Sequence, residues 1–363
     1  MKGRTALVTG GRINLGFHTA LRLLRCGARV IVSSRYPQDA MIRYRAEPDS
    51  HSWLSSLRII GADFRTAKDV FRLVATVKQI LNEWETDDEL AGRLFLLVNN
   101  AAQTLTDPIG AEKKAIANES RLRQLALENP HPVINNGYEA SVRGGSLMPG
   151  GLLEAGGVRE AQQGQLYESY SSQKTEEPRG RSKYSSIFSV QDNALIESTP
   201  NSKSSWVQSL HEIPYEDVIT AHSVNTFVPL ILIRELLPLM TSASELNSTK
   251  AESDVQPTAH IINVSSREGI FEGIPKSREK AAVHVHTNMT KAALNMITET
   301  EAADLWAKQR IAMNTVDPGY MSAAPEVRDS GIKPPIGFDD GAARVLWTIA
   351  VAEGKEDRPL GPI

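Results

Sequence analysis

The stretch "HTNMTKAALNM" (286–296) places Thr287 and Lys291 four residues apart. Met289, Ala292, Ala293, Met296 and Ile297 recur at helical spacing, so the hydroxyl and the ammonium share one face, one turn apart. The pair suits acid–base work at a substrate oxygen: the two side chains can orient a water that gives or takes the proton. His286, and His284 two residues earlier, are alternative donors because imidazole ionises near pH ~6.5, although a histidine at a helix start is equally read as structural. A further hydroxyl, Ser266, ends the β-branched run "AHIINVSS" (259–266). Arg267 and Glu268 follow it and are read either as contacts to a polar substrate or as solvated loop charges.

A second cluster lies at the other end of the chain. "VTGGRINLG" (8–16) joins a short apolar run to a helical pattern, where Gly10, Asn14, Leu15 and Gly16 would let backbone N–H groups and a helix N-terminus approach a pyrophosphate. The next apolar run ends in Ser33, Ser34 and Arg35, with no acidic residue to bind both ribose hydroxyls of NAD. Arg35 and Arg12 together favour a 2′-phosphate, hence NADP(H) over NAD(H). Asp63, after the third run, is read as an acceptor for the adenine amino group or as a helix cap.

These residues need a scaffold, and the chain supplies an alternating one. Strands fit 5–10, 28–34, 57–63, 94–100, 259–266 and 311–319, with helices near 15–27, 67–84, 215–240, 286–308 and 339–352. Near-continuous apolar strands separated by helices predict a three-layer, doubly wound parallel α/β sheet of the Rossmann type. The whole of 1–363 is read as a single domain. From 129 to 205 the rhythm stops in a Gly-, Ser-, Gln- and Asn-rich stretch with few large side chains, which predicts a mostly disordered insertion or a partner-binding segment.

Bulk composition narrows the function classes. Forty Lys and Arg against 43 Asp and Glu leave a net charge of -3, with no cationic excess for a nucleic-acid backbone. Cys26 is the single cysteine, the first residues lack the apolar run of a signal peptide, and no stretch reaches the ~20 apolar residues of a membrane span. A soluble, cytoplasmic protein acting on a small molecule is expected, without nucleic-acid or membrane partners and without a metal.

The ordered motifs resemble the short-chain dehydrogenase/reductase family. They are "TGGRINLG", "NNAA" (99–102), Asn225 in "AHSVNTFVP", Ser266 in "INVSS", Lys291 in "TNMTKAAL" and "DPG" (317–319). The resemblance implies that Asn99 and Ala101 flank the cofactor, that Ser266 holds the substrate oxygen, and that Lys291 binds the nicotinamide ribose. It also implies that Asn225 keeps a water in a relay, and that Pro318, Gly319, Met321 and Ser322 belong to a segment closing over the nicotinamide. Asn14 replaces the middle glycine of the turn, which suits a residue tolerant of left-handed backbone.

The main departure is chemical. The family donates its proton from a tyrosine four residues before the lysine, where this chain has Thr287. "YSSQK" (170–174) has the right spacing but precedes Asn225 and Ser266 and lacks a following apolar helix, so it is set aside. The chain also stops at "RPLGPI", where a seventh, edge strand would begin, leaving that edge open. An NADP(H)-dependent oxidoreductase acting on a carbonyl/alcohol pair is expected. A nucleotide-binding sensor or scaffold and a non-redox cyclase or isomerase are the alternatives. Homo-oligomers built on helices 215–240 and 286–308 are implied by the same resemblance.

Overall fold

The computed structural model describes residues 1–84, 92–126, 133–134, 137–143, 204–241, 256–271, 283–322, 327, 329–331 and 333–353. The strands are β1 (Thr5–Val8), β2 (Arg29–Ser34), β3 (Leu57–Gly61), β4 (Leu96–Asn99), β5 (Val133–Ile134), β6 (Ala259–Val264) and β7 (Ile311–Val316). They form one seven-stranded sheet in the order β5-β3-β2-β1-β4-β6-β7, and every pairing is parallel.

Alternation along β1 assigns the two faces. Ala6 and Val8 pack with Leu21 and Leu24 of α1 (Asn14–Arg25), Met41 and Tyr44 of α2 (Pro37–Arg45), and Val345 and Ile349. Leu7 points the other way, into a core with Val70 and Val77 of α3 (Ala67–Glu83), and with Leu232 and Leu305. The period-2 pattern therefore feeds two cores, with helices covering both faces of the sheet. The remaining helices are α4 (Ile109–Ala126), α5 (Tyr215–His222), α6 (Val228–Leu236), α7 (Val285–Gln309) and α8 (Phe338–Glu353).

Three differences from the expected elements matter to the site. The helix read as continuous over 215–240 is interrupted by a π turn at Ser223–Phe227, which carries Asn225. Such insertions widen one turn and recur at functional positions. Val133 and Ile134, within the stretch read as a mostly disordered insertion, instead form the edge strand β5 beside β3, with Ile59 opposite Val133 and Ile60 opposite Ile134. Tyr138 is buried against Gly61, where any side chain would meet its ring, and its hydroxyl donates to the Arg35 carbonyl at 2.9 Å. Ser205, at the other end of the same stretch, is buried as well. The rest of that stretch, and the region from 354 onward where a further edge strand was in question, lie outside the described residues.

Helix α2 was not anticipated, and neither was α4. The start of α2 has Pro at its first position and no capping side chain of its own. Glu119 of α4 supplies the missing acceptor: Gln38 N and Asp39 N donate to its two carboxylate oxygens at 2.7 and 3.0 Å, and burial pushes that carboxyl above its usual range. Replacing Glu119 with alanine strands two N–H groups and is expected to lower stability by about 1–3 kcal/mol. Chemical denaturation reads this directly; an unchanged midpoint would mean that water satisfies the helix start equally well.

Candidate functional site

β1 lies between β2 and β4, so the connections leaving the sheet diverge at its carboxyl end, where open α/β sheets form their ligand crevice. A cavity of about 490 Å³ opens there. That is the size range of cofactor and small-molecule sites. Its walls include Gly10, Arg12, Asn14, Leu15, Gly16, Ser34, Arg35, Asp63, Ala101, Ser266, Thr287, Lys291, Pro318, Gly319, Met321 and Ser322. Residues separated by more than three hundred positions thus share one crevice. Four expected site residues, Asn99, Asn225, His284 and His286, are not on its walls.

The glycine turn is shaped by close approach. Gly10 has φ +70°, and a Cβ there would stand 3.0 Å from Ala101 Cα; at Gly16 it would stand 2.3 Å from the Gly10 carbonyl oxygen. Asn14 has φ 53°, so it takes the left-handed conformation expected of it. Asn100, not Asn99, holds this turn, donating to Thr9 O at 2.9 Å. Asn99 points into the sheet and donates to Asn263 Oδ1 at 2.8 Å. Side chains alternate along β4, and this places the neighbour at the crevice.

At the far corner, charges are paired. Arg12 lies 2.7 Å from Asp39, and Arg35 lies 3.4 Å from Glu112 and 3.5 Å from Asp107. The two guanidiniums stand over the Tyr36 ring, 5.2 and 5.5 Å from its centroid. Asp63 is neither an open acceptor nor the cap of α3: both oxygens take hydrogen bonds from Arg65, and Thr66 caps that helix. Arg65 also reaches Glu112 at 3.1 Å. The Arg143 N–H donates to Glu112 as well, while its guanidinium binds the Asp107 carbonyl and Asp217. Arg65, Glu112 and Arg143 line the crevice and were missed from sequence. Arg143 sits in the composition-biased stretch, and nothing local marks it.

At the chemical end, α7 does present Thr287 and Lys291 on one face. Both are buried at the crevice wall, 1% and 4% exposed. Lys291 Nζ donates to Val264 O at 2.8 Å. Burial brings its pKa down to about 8, although the carboxylates of Glu268 and Asp317 oppose the shift. The Thr287 hydroxyl has no hydrogen-bond partner among the described residues. Gly269 lets the loop after Ser266 lie on α7, because a Cβ there would come within 2.7 Å of the Lys291 carbonyl.

Asn225 is fully engaged elsewhere. Its Oδ1 accepts from Gln103 N at 2.6 Å, and its amide donates to Gln103 O and to Thr290 Oγ1 at 3.1 and 3.0 Å. It fixes the loop after β4 to α7, with neither amide proton left for a relay to Lys291. His286 is 1% exposed, neither ring nitrogen has a partner among the described residues, and burial followed by the neighbouring His284 lowers its pKa. A buried neutral imidazole off the crevice wall is a poor proton donor to a ligand in that crevice. His284 is held by Trp206: the rings stack at 4.2 Å and 10°, and His284 Nδ1 lies 2.8 Å from the Trp206 carbonyl oxygen.

The residues present fit a dinucleotide. Two glycines leave no room for side chains along the turn, a helix N-terminus faces the crevice, and a buried lysine and an unpartnered hydroxyl stand at the opposite end. Among the described residues no helix is long and apolar enough to cross a membrane.

The comparisons agree with this geometry. The family model described as "short chain dehydrogenase" matches residues 4–126. An uncharacterized protein of Acanthamoeba polyphaga mimivirus is 24% identical over 361 residues, covering 96% of this chain; the chain spans 63% of that curated relative's length. Among solved structures, the RhlG/NADP active-site complex of Pseudomonas aeruginosa has a TM-score of 0.52 at 18% identity, over 98% of this chain and 93% of that one. A short-chain dehydrogenase from Streptomyces avermitilis has a TM-score of 0.51 at 16% identity, over 96% and 85%. At such identities the structural likeness speaks for the fold, and the family match adds the nucleotide-end sequence. The nucleotide end of the chain, residues 4–126, thus matches the short chain dehydrogenase model, and the whole described chain has the fold of solved short-chain dehydrogenases.

Proposed function

We propose that the protein is an NADP(H)-dependent oxidoreductase acting on a carbonyl/alcohol pair, with Lys291 as the proton source through a water held by Thr287. The observation that carries this reading is the buried pair itself: an ammonium with one backbone partner, one turn from a buried hydroxyl with none, on residues that both line the crevice. The residues of the glycine turn and Lys291 would hold a nicotinamide dinucleotide, which when bound would supply the hydride for the carbonyl carbon and take up the oxidation. The chain's own task is then to hold the carbonyl and deliver one proton to its oxygen. Ser266, half-buried on the crevice wall, is placed to donate a hydrogen bond to that oxygen. Thr287 has a shorter reach than a phenol and leaves space for a water between itself and the substrate. Lys291, brought near neutrality by burial, is a competent acid for that water, whereas an aliphatic hydroxyl alone is not.

NADP(H) over NAD(H) is supported by Ser34 and Arg35 at the end of β2, where a carboxylate would repel a 2′-phosphate. RhlG, similar in fold, is known as an NADP complex. Because Asp39 and Glu112 already partner the two arginines, the phosphate must compete for them. Arg12→Ala and Arg35→Ala are therefore each expected to weaken NADPH binding by about 10-fold, at the low end for charged hydrogen bonds, and to change NADH binding by less than about 3-fold. Calorimetry with both nucleotides decides it: equal losses for the two would remove the NADP preference. A panel of carbonyls followed by NADPH oxidation tests the chemistry, and tight NADPH binding without turnover across the panel would favour a sensor or scaffold. The exposed Phe227, Leu230, Met289 and Met296 on the 215–240 and 285–309 helices favour pairing with a second subunit.

A further inference from the structure

Residues 204–213 return the chain to the crevice after the composition-biased stretch, and they are tied down on two sides. Ser205 Oγ accepts from Thr106 N at 2.9 Å, fixing this segment to the loop after β4. Trp206, the next residue, is fixed to the start of α7: its carbonyl oxygen receives His284 Nδ1 at 2.8 Å, and Gln208 O accepts from His284 N at 3.1 Å. The indole lies flat on the imidazole, with centroids 4.2 Å apart and planes 10° from parallel. His284 has φ 38°, a left-handed conformation uncommon for a side chain of this size, so the surroundings hold it there. Its carbonyl in turn receives the Thr287 N–H at 3.0 Å. The half-buried indole is thus a held wall of the crevice, stacked on the residue that precedes Thr287 by three positions.

Resting on the reading of this crevice as a carbonyl/alcohol site, we propose that Trp206 is a stacking platform that selects substrates whose reacting oxygen is carried on a planar, conjugated ring. Three features converge on this ligand class. The indole is presented as a fixed plane rather than as a mobile side chain, which lowers the ordering cost of a stacked ligand. Trp206 and Thr287 line the same crevice, and a threonine there occupies less of it than a phenol would. Ser266, half-buried on the crevice wall, offers a hydrogen bond to an oxygen on the ring edge, whereas a saturated ring of the same size would match it but not the flat wall.

The test uses the full chain and two probes of similar size, 2-naphthol and its saturated counterpart decahydro-2-naphthol, titrated calorimetrically with and without NADP+. The planar alcohol is expected to bind about 3- to 10-fold more tightly than the saturated one, with Trp206→Leu removing that margin and Trp206→Phe keeping most of it. Equal affinity of the two probes for the native chain overturns the platform, and that comparison needs no variant to fold. An unchanged margin in Trp206→Leu also overturns it, as does failure of the planar probe to bind while NADP+ binds normally. Failure of NADP+ to bind, with the planar preference intact, would instead count against the oxidoreductase reading and leave the platform standing.

Discussion

Replacing Lys291 with methionine is expected to lower kcat by about 100- to 10,000-fold, the usual contribution of a positioned proton donor, while making the protein more stable. Both effects come from the same burial. Lys291 is 4% exposed with one backbone partner, and its folded-state pKa of about 8 lies below the ordinary 10.5. For a lysine, a depressed folded-state value means that folding disfavours the charged form. The cost is fully present below pH 8 and fades as pH rises through 8 towards 10.5. At neutral pH it amounts to about 3 kcal/mol, which the methionine variant regains up to the limits of repacking. The activity carries the complementary sign. Reduction needs the ammonium and falls as pH rises above about 8; oxidation needs the amine and rises over the same range. In Lys291→Arg the charge is kept but the titration is moved out of range, so the limb near pH 8 should vanish from its profile. A native profile flat from pH 6 to 10, or a methionine variant that loses stability and keeps its rate, would remove Lys291 from the proton's path.

Gly16→Ala is expected to abolish dinucleotide binding, weakening it by 100-fold or more, and to destabilise the fold by about 1–3 kcal/mol. The added methyl would stand 2.3 Å from the Gly10 carbonyl oxygen and 2.4 Å from Asn100 Nδ2. Neither neighbour can yield easily. Gly10 is in a conformation that only glycine adopts freely, with Ala101 packed against it, and Asn100 is bonded to Thr9. Relief therefore requires the start of α1 to move away from the turn, taking with it the N–H groups that would face a pyrophosphate. Calorimetry with NADPH and thermal unfolding measure the two effects separately. A variant that binds normally would show that the helix start is not part of the site.

Much of the scaffold was legible because its signals are local. Alternating apolar runs and helical patterns located six of the seven strands, and the left-handed backbone at Asn14 followed from its place in the glycine turn. β5 escaped because two residues carry no periodicity; it exists by virtue of β3 beside it and of Tyr138 lying on Gly61. Helix α2 escaped for a related reason, since its start is satisfied by a glutamate eighty residues away.

The site divides in the same way. Sequence alone determined that Thr287 and Lys291 share a helix face, that glycines form the turn after β1, and that Ser34 ends β2 with Arg35 next, because spacing within one element carries that information. Only the tertiary structure decided how those groups are used. It turned Asn225 onto Gln103 and Thr290, locked Asp63 to Arg65, buried His286 off the crevice wall, exchanged Asn99 for Asn100, and brought Trp206 and Arg143 to the crevice. Each of these depends on which polar group, from a distant part of the chain, arrives within hydrogen-bond or stacking distance once the core has closed. Residue spacing cannot encode that choice, because a buried donor or acceptor takes its partner from whatever the packing delivers.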